Sequence, residues 1–364
     1  MKHFFLELQS VQVHLIRFRQ ETSTTQGRAQ CRALELIASD FAALATETQK
    51  RAKIKIYLVD QIPLARNGRR FPARAFKTSM ASVYGWGSHR VCDYGDVIAE
   101  SNWIGDTRCF WVAGENSDLL REVIYSIVLS SLGEELDTRG FHRVHALGFE
   151  YQEKRALMIG ASGAGKSTLA CLLLDGKINS RLFSDESPLL RAAAIYPFAL
   201  RLALFPEVAE RLNLKDGVPF QRKIHRLKNL FRFPNESMAE PGSVDYIFVA
   251  RPHQRYPNVT LLSRRVAAWE LLKTMVIGLG LAQMAEWMLR LDAIPRIIWI
   301  ASSRTLGVVR LLRGQTGLYV FDLCEDARSN VDFLLRFLTA IETLSRAESS
   351  SPNEVLRMKI LFRL

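Results

Sequence analysis

The alternation of apolar and polar side chains predicts strands and helices that interleave along most of the chain. Val11–Ile16 and Lys53–Val59 read as strands, and between them a helix-like spacing of apolar positions runs from about Ala29 to Ala52. From 81 to 113, short runs rich in Val, Tyr, Trp and Phe are separated by Gly85, Gly87, Gly95 and Gly105, as short strands joined by turns are. Asp118 is placed to cap a helix over Leu119–Leu136. Val144–Tyr151 and Arg155–Ile159 are predicted strands on either side of a Gln152-Glu153 turn. A helix over Lys166–Leu174, ended by Gly176, and a strand over Arg181–Ser184 follow. Residues 190–215 mix a strand and a short helix, Gly217–Pro234 reads as a basic loop or ribbon, and Val244–Val249 is a strand. A helix runs from Val266 towards Leu291, broken near Gly278 and Gly280. Strands over Arg296–Ile300 and Gly317–Phe321 and a helix over Ser329–Leu344 complete the pattern. It predicts an α/β (mixed α+β) class. The chain divides into a smaller N-terminal α+β domain over 1–138, a larger domain over 139–345 and a C-terminal tail over 346–364.

Length and composition narrow the picture. A chain of 364 residues, 48% hydrophobic and 24% charged, has the make-up of a globular protein of roughly two domains. Five scattered cysteines, with no CxxC pair, read as reduced thiols of a cytoplasmic protein. Glu7 interrupts any signal-peptide core, and the longest uncharged apolar stretch, Thr274–Ala285, falls short of the ~20 residues that span a bilayer. The expectation is a cytoplasmic protein with no membrane partner. The formal net charge of +12 points to an anionic partner. No RNP, zinc-finger or helix-turn-helix pattern accompanies it, so nucleic acid is not the expected one.

One segment carries specific chemistry. Gly160-Ala161-Ser162-Gly163-Ala164-Gly165-Lys166-Ser167, followed by Thr168, has the spacing GxxxxGK[ST] between a predicted strand and a predicted helix. Its glycines let successive backbone N–H groups turn inward on phosphate oxygens, and the helix adds its positive end. Lys166 has the reach for the β- and γ-phosphates of ATP, and Ser167 offers a hydroxyl to Mg²⁺. Asp185 and Glu186 lie 19 and 20 residues beyond Lys166, one strand–loop–helix–strand passage later. Two such carboxylates can divide the work, Asp185 taking a proton from an attacking hydroxyl and the pair holding the metal. His145, on the strand expected to pair with the one feeding the loop, is a candidate for proton transfer or phosphate contact. Arg222–Arg232 holds five Lys or Arg and no acid, and either clamps phosphates or grips an acidic partner.

The order Val144-His145-Ala146, the Gly160–Ser167 loop, a helix and then Ser184-Asp185-Glu186 resembles the catalytic domain of HPr kinase/phosphorylase and the HprK-related kinases. The resemblance covers about residues 140–325. It implies a P-loop kinase domain with a central mixed sheet, sharing its nucleotide-binding core with ATP-dependent phosphoenolpyruvate carboxykinases. It implies an ATP·Mg²⁺-dependent kinase that phosphorylates a serine hydroxyl of a protein or peptide. A ribosomally made precursor of the lasso type is one such acceptor, and an acidic one suits the basic balance. Departures stand at Glu186, where the HPr kinases carry Asp, and at Thr168, where they usually carry Glu. Their C-terminal signature is missing, which speaks against HPr as acceptor and against the reverse reaction. Two alternatives stay open: a kinase of small-molecule hydroxyls, and a regulatory ATPase that transfers phosphate to no acceptor. Homo-oligomers are known in the family, and nothing in the chain displays an interface.

Overall fold

The computed structural model describes residues 2–17, 24–48, 50–161, 163–174, 178–221, 227–278, 285–314 and 316–347. The chain is a mixed α/β protein that separates into two compact units. Unit 1 comprises residues 1–142, 216–233 and 279–304, and unit 2 comprises 143–215, 234–278 and 305–364. The division falls at 142/143, against the expected 138/139, and two later segments return to unit 1. The expected tail over 346–364 lies, beyond Ala347, outside the described residues.

Unit 1 opens with the strands β1 (Lys2–Leu8) and β2 (Val11–Arg17), the helix α1 (Thr25–Asp40), β3 (Ala45–Thr46) and β4 (Ile54–Leu58). The short helix α2 (Pro63–Arg66) leads to β5 (Arg74–Lys77), β6 (Ser82–Tyr84), β7 (Arg90–Asp93), β8 (Val97–Ile104), β9 (Thr107–Gly114) and the helix α3 (Ser117–Thr138). The nine strands form one sheet in the order β3-β1-β2-β4-β9-β8-β7-β6-β5. β2, β4 and β9 run parallel at its centre, and the others pair antiparallel. Every residue of β2 is buried, the polar Gln12, His14 and Arg17 among them, as in a central strand covered on both faces. The helix expected over 29–52 starts earlier and stops at Asp40. Thr24 caps it, accepting from the amide of Gly27 at 3.0 Å. Asp40 pairs with Arg121 in the core and Phe41 is fully buried beside it, so the chain leaves the helix there. The cap of α3 is Asn116, which accepts from the amides of Asp118 and Leu119; Asp118 lies in the first turn. A two-residue strand, β10 (His142–Arg143), follows.

Unit 2 contains β11 (Ala146–Tyr151), β12 (Lys154–Ile159), α4 (Lys166–Leu173), β13 (Ser180–Ser184), β14 (Leu189–Arg191), β15 (Ala194–Tyr196), β16 (Leu202–Leu204) and α5 (Pro206–Arg211). The strands β17 (Val218–Phe220) and β18 (Lys228–Phe231) belong to unit 1 and pair as the ribbon expected there. Unit 2 resumes with β19 (Gly242–Ser243), β20 (Tyr246–Gln254), β21 (Asn258–Leu261) and α6 (Arg264–Leu272). Unit 1 then regains α7 (Ala285–Met288) and the first part of α8 (Ile294–Arg313), and β22 (Gly317–Cys324) and α9 (Ala327–Ala347) complete unit 2. The sheet that matters for the site has the order β13-β11-β12-β20-β22-β21. β12, β20 and β22 are parallel, and β11 runs antiparallel to both neighbours, so β13 points the same way as β12. One face packs Leu157, Ile159, Ile247 and Leu318 against Leu271 of α6 and Val308 of α8. The other face stacks Phe248, Tyr319 and Phe321 on Phe333 and Phe337 of α9.

The expected strand over Arg296–Ile300 is a helix. Ile300, Arg304, Val308 and Leu311 are all buried, an i, i+4, i+8, i+11 series that only a helix places on one side. The β-branched run Ile297-Ile298 with Ile300 suggests a strand, while Pro295 at the helix start gives the better signal. Within unit 1, Arg304 donates to Asp137 from two nitrogens, at 2.6 and 3.0 Å. His142 donates from Nδ1 to Asp137 at 2.9 Å, which leaves Nε2 to accept from the hydroxyl of Ser303 at 3.1 Å. Among the described residues, no helix is long and apolar enough to cross a membrane.

Candidate phosphate-binding site

The glycine-rich loop leaves the central parallel strand β12 and enters α4, which is the context its spacing calls for. Gly163 and Gly165 have φ of +83° and +90°, the left-handed region that favours glycine. Ala164 donates its amide to the carbonyl of Ala161 at 3.2 Å, and Leu169 closes the first helical turn on Gly165 at 2.9 Å. Gly160 is needed for another reason: a Cβ there would stand 3.0 Å from Cβ of Ala250 on β20. Ser162 lies outside the described residues.

Lys166 is the first residue of α4 and is 6% exposed. Its ammonium donates to the carbonyls of Gly160 at 2.7 Å and Ala161 at 3.0 Å. Burial pushes its pKa down to about 8, while the charges of Glu186 and Asp185 pull it back up. Burial likewise pushes the thiol of Cys171 on α4 up to about 12, and the carboxylate of Asp185 adds to the shift. Both groups feel the charge of Asp185, and Lys166 that of Glu186 as well. Asp185 is buried and Glu186 half-buried.

The sheet explains this convergence. β12 and β13 flank β11, and their carboxyl ends lie at the same edge, so the loop after Ile159 and the acids after Ser184 meet there. Ligands of open α/β sheets bind outside such carboxyl ends. His145 sits on the bend just before β11, one residue short of the expected strand position, and is half-buried. The β11–β12 register, which pairs Ala146 with Ile159, puts His145 opposite Gly160 when continued by one step. Ser167 and Thr168, in the first turn of α4, are half-buried.

Two features escape the sequence reading. The buried Ser184 hydroxyl accepts from the amides of Ser187 at 3.0 Å and Glu186 at 3.4 Å, which fixes the turn carrying the two acids. A serine at a strand end ahead of two acids is the signal for such a turn. The second feature is a cleft of about 470 Å³ beside the loop, lined by Gly163, Thr168, Arg211, His253, Arg328 and Asn330 among others. Asn330 bonds both the amide and the carbonyl of Cys324 at 2.9 Å, holding the end of β22 against α9. The basic run Arg222–Arg232 is described only from Leu227 onwards, and that part groups with unit 1.

Among the described residues there is no group of three or more His, Cys, Asp or Glu placed to hold a metal ion. Mg²⁺ at a nucleotide site needs less, because phosphate oxygens and water complete its shell. A hydroxyl and two carboxylates suit that donor set, and a loop of left-handed glycines with a buried ammonium suits a polyphosphate. Comparisons with protein-family models and with curated proteins find no match for this chain.

Proposed function

We propose that unit 2 binds ATP with Mg²⁺ and transfers the γ-phosphoryl group to a hydroxyl, a serine of a protein or peptide. One observation carries the reading: a buried Lys166 at the start of α4, in a loop of left-handed glycines, coupled electrostatically to Asp185 and Glu186. The Gly160–Gly165 backbone and Lys166 hold the phosphates, and Ser167 with Glu186 and Asp185 holds the metal. The 470 Å³ cleft beyond Thr168 offers room for the rest of the nucleotide. Bound Mg²⁺ supplies charge neutralisation on the phosphates. Asp185, held by the Ser184 turn, takes the proton of the incoming hydroxyl. His145, at the register position opposite Gly160, assists in proton handling or phosphate contact. An HprK-related, cytoplasmic kinase is the family and setting this reading implies.

The test is purified full-length chain incubated with γ-labelled ATP, Mg²⁺ and serine-containing peptides. Label on a peptide serine supports the reading. Label on a metabolite hydroxyl transfers the reading to small-molecule substrates, and label released only as free phosphate overturns transfer altogether.

A further inference from the structure

Unit 1 contains a second open crevice that the phosphate-binding loop does not explain. It measures about 950 Å³ and lies at the carboxyl ends of the parallel strands β4 and β9, beside the start of α1. Crevices at that end of parallel strands are where α/β sheets bind ligands. Its described lining includes carboxamides, an indole, a guanidinium and the carboxylate of Asp60. Gln26, Gln61 and Asn67 supply carboxamides, which match the donors and acceptors of a peptide backbone. Trp111 supplies an apolar wall, its ring stacked at 5.8 Å on Tyr57. Arg66 supplies a guanidinium at the last turn of α2.

The segment that carries two of the lining residues, Arg66 and Asn67, is basic. Arg66, Arg69 and Arg70 are exposed on the segment Arg66-Asn67-Gly68-Arg69-Arg70, which contains no acid. The segment is shaped rather than loose: Gly68 takes φ +65°, and the amides of Gly68 and Arg69 bond back to Ala65 and Leu64 at 3.0 Å. None of the three guanidiniums forms an ion pair with another described residue, whereas Arg108, Arg121 and Arg304 of the same unit are paired with acids. Among the described lining residues Asp60 is the acid, and its backbone carbonyl accepts from Gln26 at 3.0 Å. Guanidiniums paired with no acid, next to carboxamides and an indole, match a chain with carboxylates on a peptide backbone.

We propose that this crevice binds an acidic segment of a peptide, its backbone on Gln26, Gln61 and Asn67 and its carboxylates on Arg66, Arg69 and Arg70. That the peptide is the phosphate acceptor rests on the transfer reading of unit 2; the binding itself does not. Anisotropy of a dye-labelled peptide of alternating Glu and Ser, added to full-length chain without nucleotide, tests it. The expected result is salt-sensitive binding that weakens about tenfold or more in Arg66→Gln/Arg69→Gln/Arg70→Gln. Those positions are exposed, so the melting temperature stays at the parent value. Gln61→Trp, which fills the crevice from an exposed position, weakens binding as well. Lys166→Ala binds the peptide as the parent does, and peptide binding by a parent chain that transfers no phosphate counts against the kinase reading alone. The proposal is overturned if the triple variant binds like the parent, if a Lys/Ser peptide binds equally, or if no Glu/Ser binding is seen. Displacement by a lower concentration of single-stranded oligonucleotide also overturns it and assigns the arginines to phosphate.

Discussion

The Lys166 ammonium lies 2.7 Å from the carbonyl oxygen of Gly160, so the residue that ends the loop is held by the residue that begins it. The contact keeps a buried cation hydrogen-bonded where it has little water. Lys166→Ala removes a charge-assisted contact to phosphate worth about 1.5–3 kcal/mol, so ATP affinity falls roughly 10- to 100-fold. Titration calorimetry with ATP and Mg²⁺ reads this directly. An affinity within a factor of two of the parent removes Lys166 from the site.

The same lysine gives a pH dependence. Its pKa in the folded chain is about 8, lowered by burial, so the ammonium that phosphate needs is lost above that pH. Bound phosphate raises the pKa again, and affinity therefore declines from about pH 8 upwards. For stability the sign is opposite. The unfolded chain binds more protons between pH 8 and the ordinary lysine value, so this group makes the fold more stable as pH rises through that window. ATP affinity that is flat from pH 7 to 9.5 contradicts the assignment.

Gly165→Ala and Gly160→Ala separate two roles of glycine. At Gly165 an added Cβ meets nothing within 4 Å, but φ is +90°, so the cost is conformational, about 1–2 kcal/mol. Nucleotide binding weakens, and the melting temperature falls by the few degrees that this cost implies. At Gly160 the Cβ presses on Ala250 and the β12–β20 contact, so the melting temperature drops. Thermal unfolding and nucleotide titration of both variants check the contrast.

Ser184→Ala leaves the acids in sequence but frees their turn. Losing the two amide contacts costs about 1 kcal/mol, and catalysis falls while ATP affinity holds. Asp185→Asn goes further, binding ATP but transferring no phosphate. Retained peptide phosphorylation by Asp185→Asn removes the residue from the role of base.

Breaking the buried Asp137–Arg304 pair is the sharpest stability test. Both side chains are essentially unexposed, at 1% and 0%, and Asp137→Ala strands a guanidinium in the core. The expected loss is about 3–5 kcal/mol, read by urea denaturation. Burial alone would raise the Asp137 pKa; the hydrogen bond from His142 and the charge of Arg304 outweigh it and hold the carboxyl below its ordinary value. Its contribution is therefore present above the unfolded-chain carboxyl pKa and is lost as pH falls through the lower folded value. The parent loses stability in acid, and Asp137→Ala loses less of it there.

Local patterns in the sequence determined a good deal. The runs at Val11–Ile16, Lys53–Val59 and Arg155–Ile159 are strands; burial alternates with period two along Ile54–Leu58, while the other two are buried along most or all of their length. The GxxxxGK[ST] loop between strand and helix is equally local, since its glycines and its lysine act within a few residues of one another. What tertiary structure decided lies where a distant partner sets the outcome. The first helix stops at Asp40 because Arg121 and the core claim Asp40 and Phe41. Arg296–Ile300 is helical because Ile300 shares a buried face with Arg304, Val308 and Leu311, and Arg304 has its partner at Asp137. The meeting of Asp185 with the loop depends on β12 and β13 flanking β11, a strand order that pairing fixes and linear spacing does not. The return of residues 216–233 and 279–304 to unit 1 is of the same kind, since no composition shift marks it. Side-chain period and loop chemistry are written in neighbouring residues, whereas burial is shared between residues far apart in the chain, and only the fold brings those together.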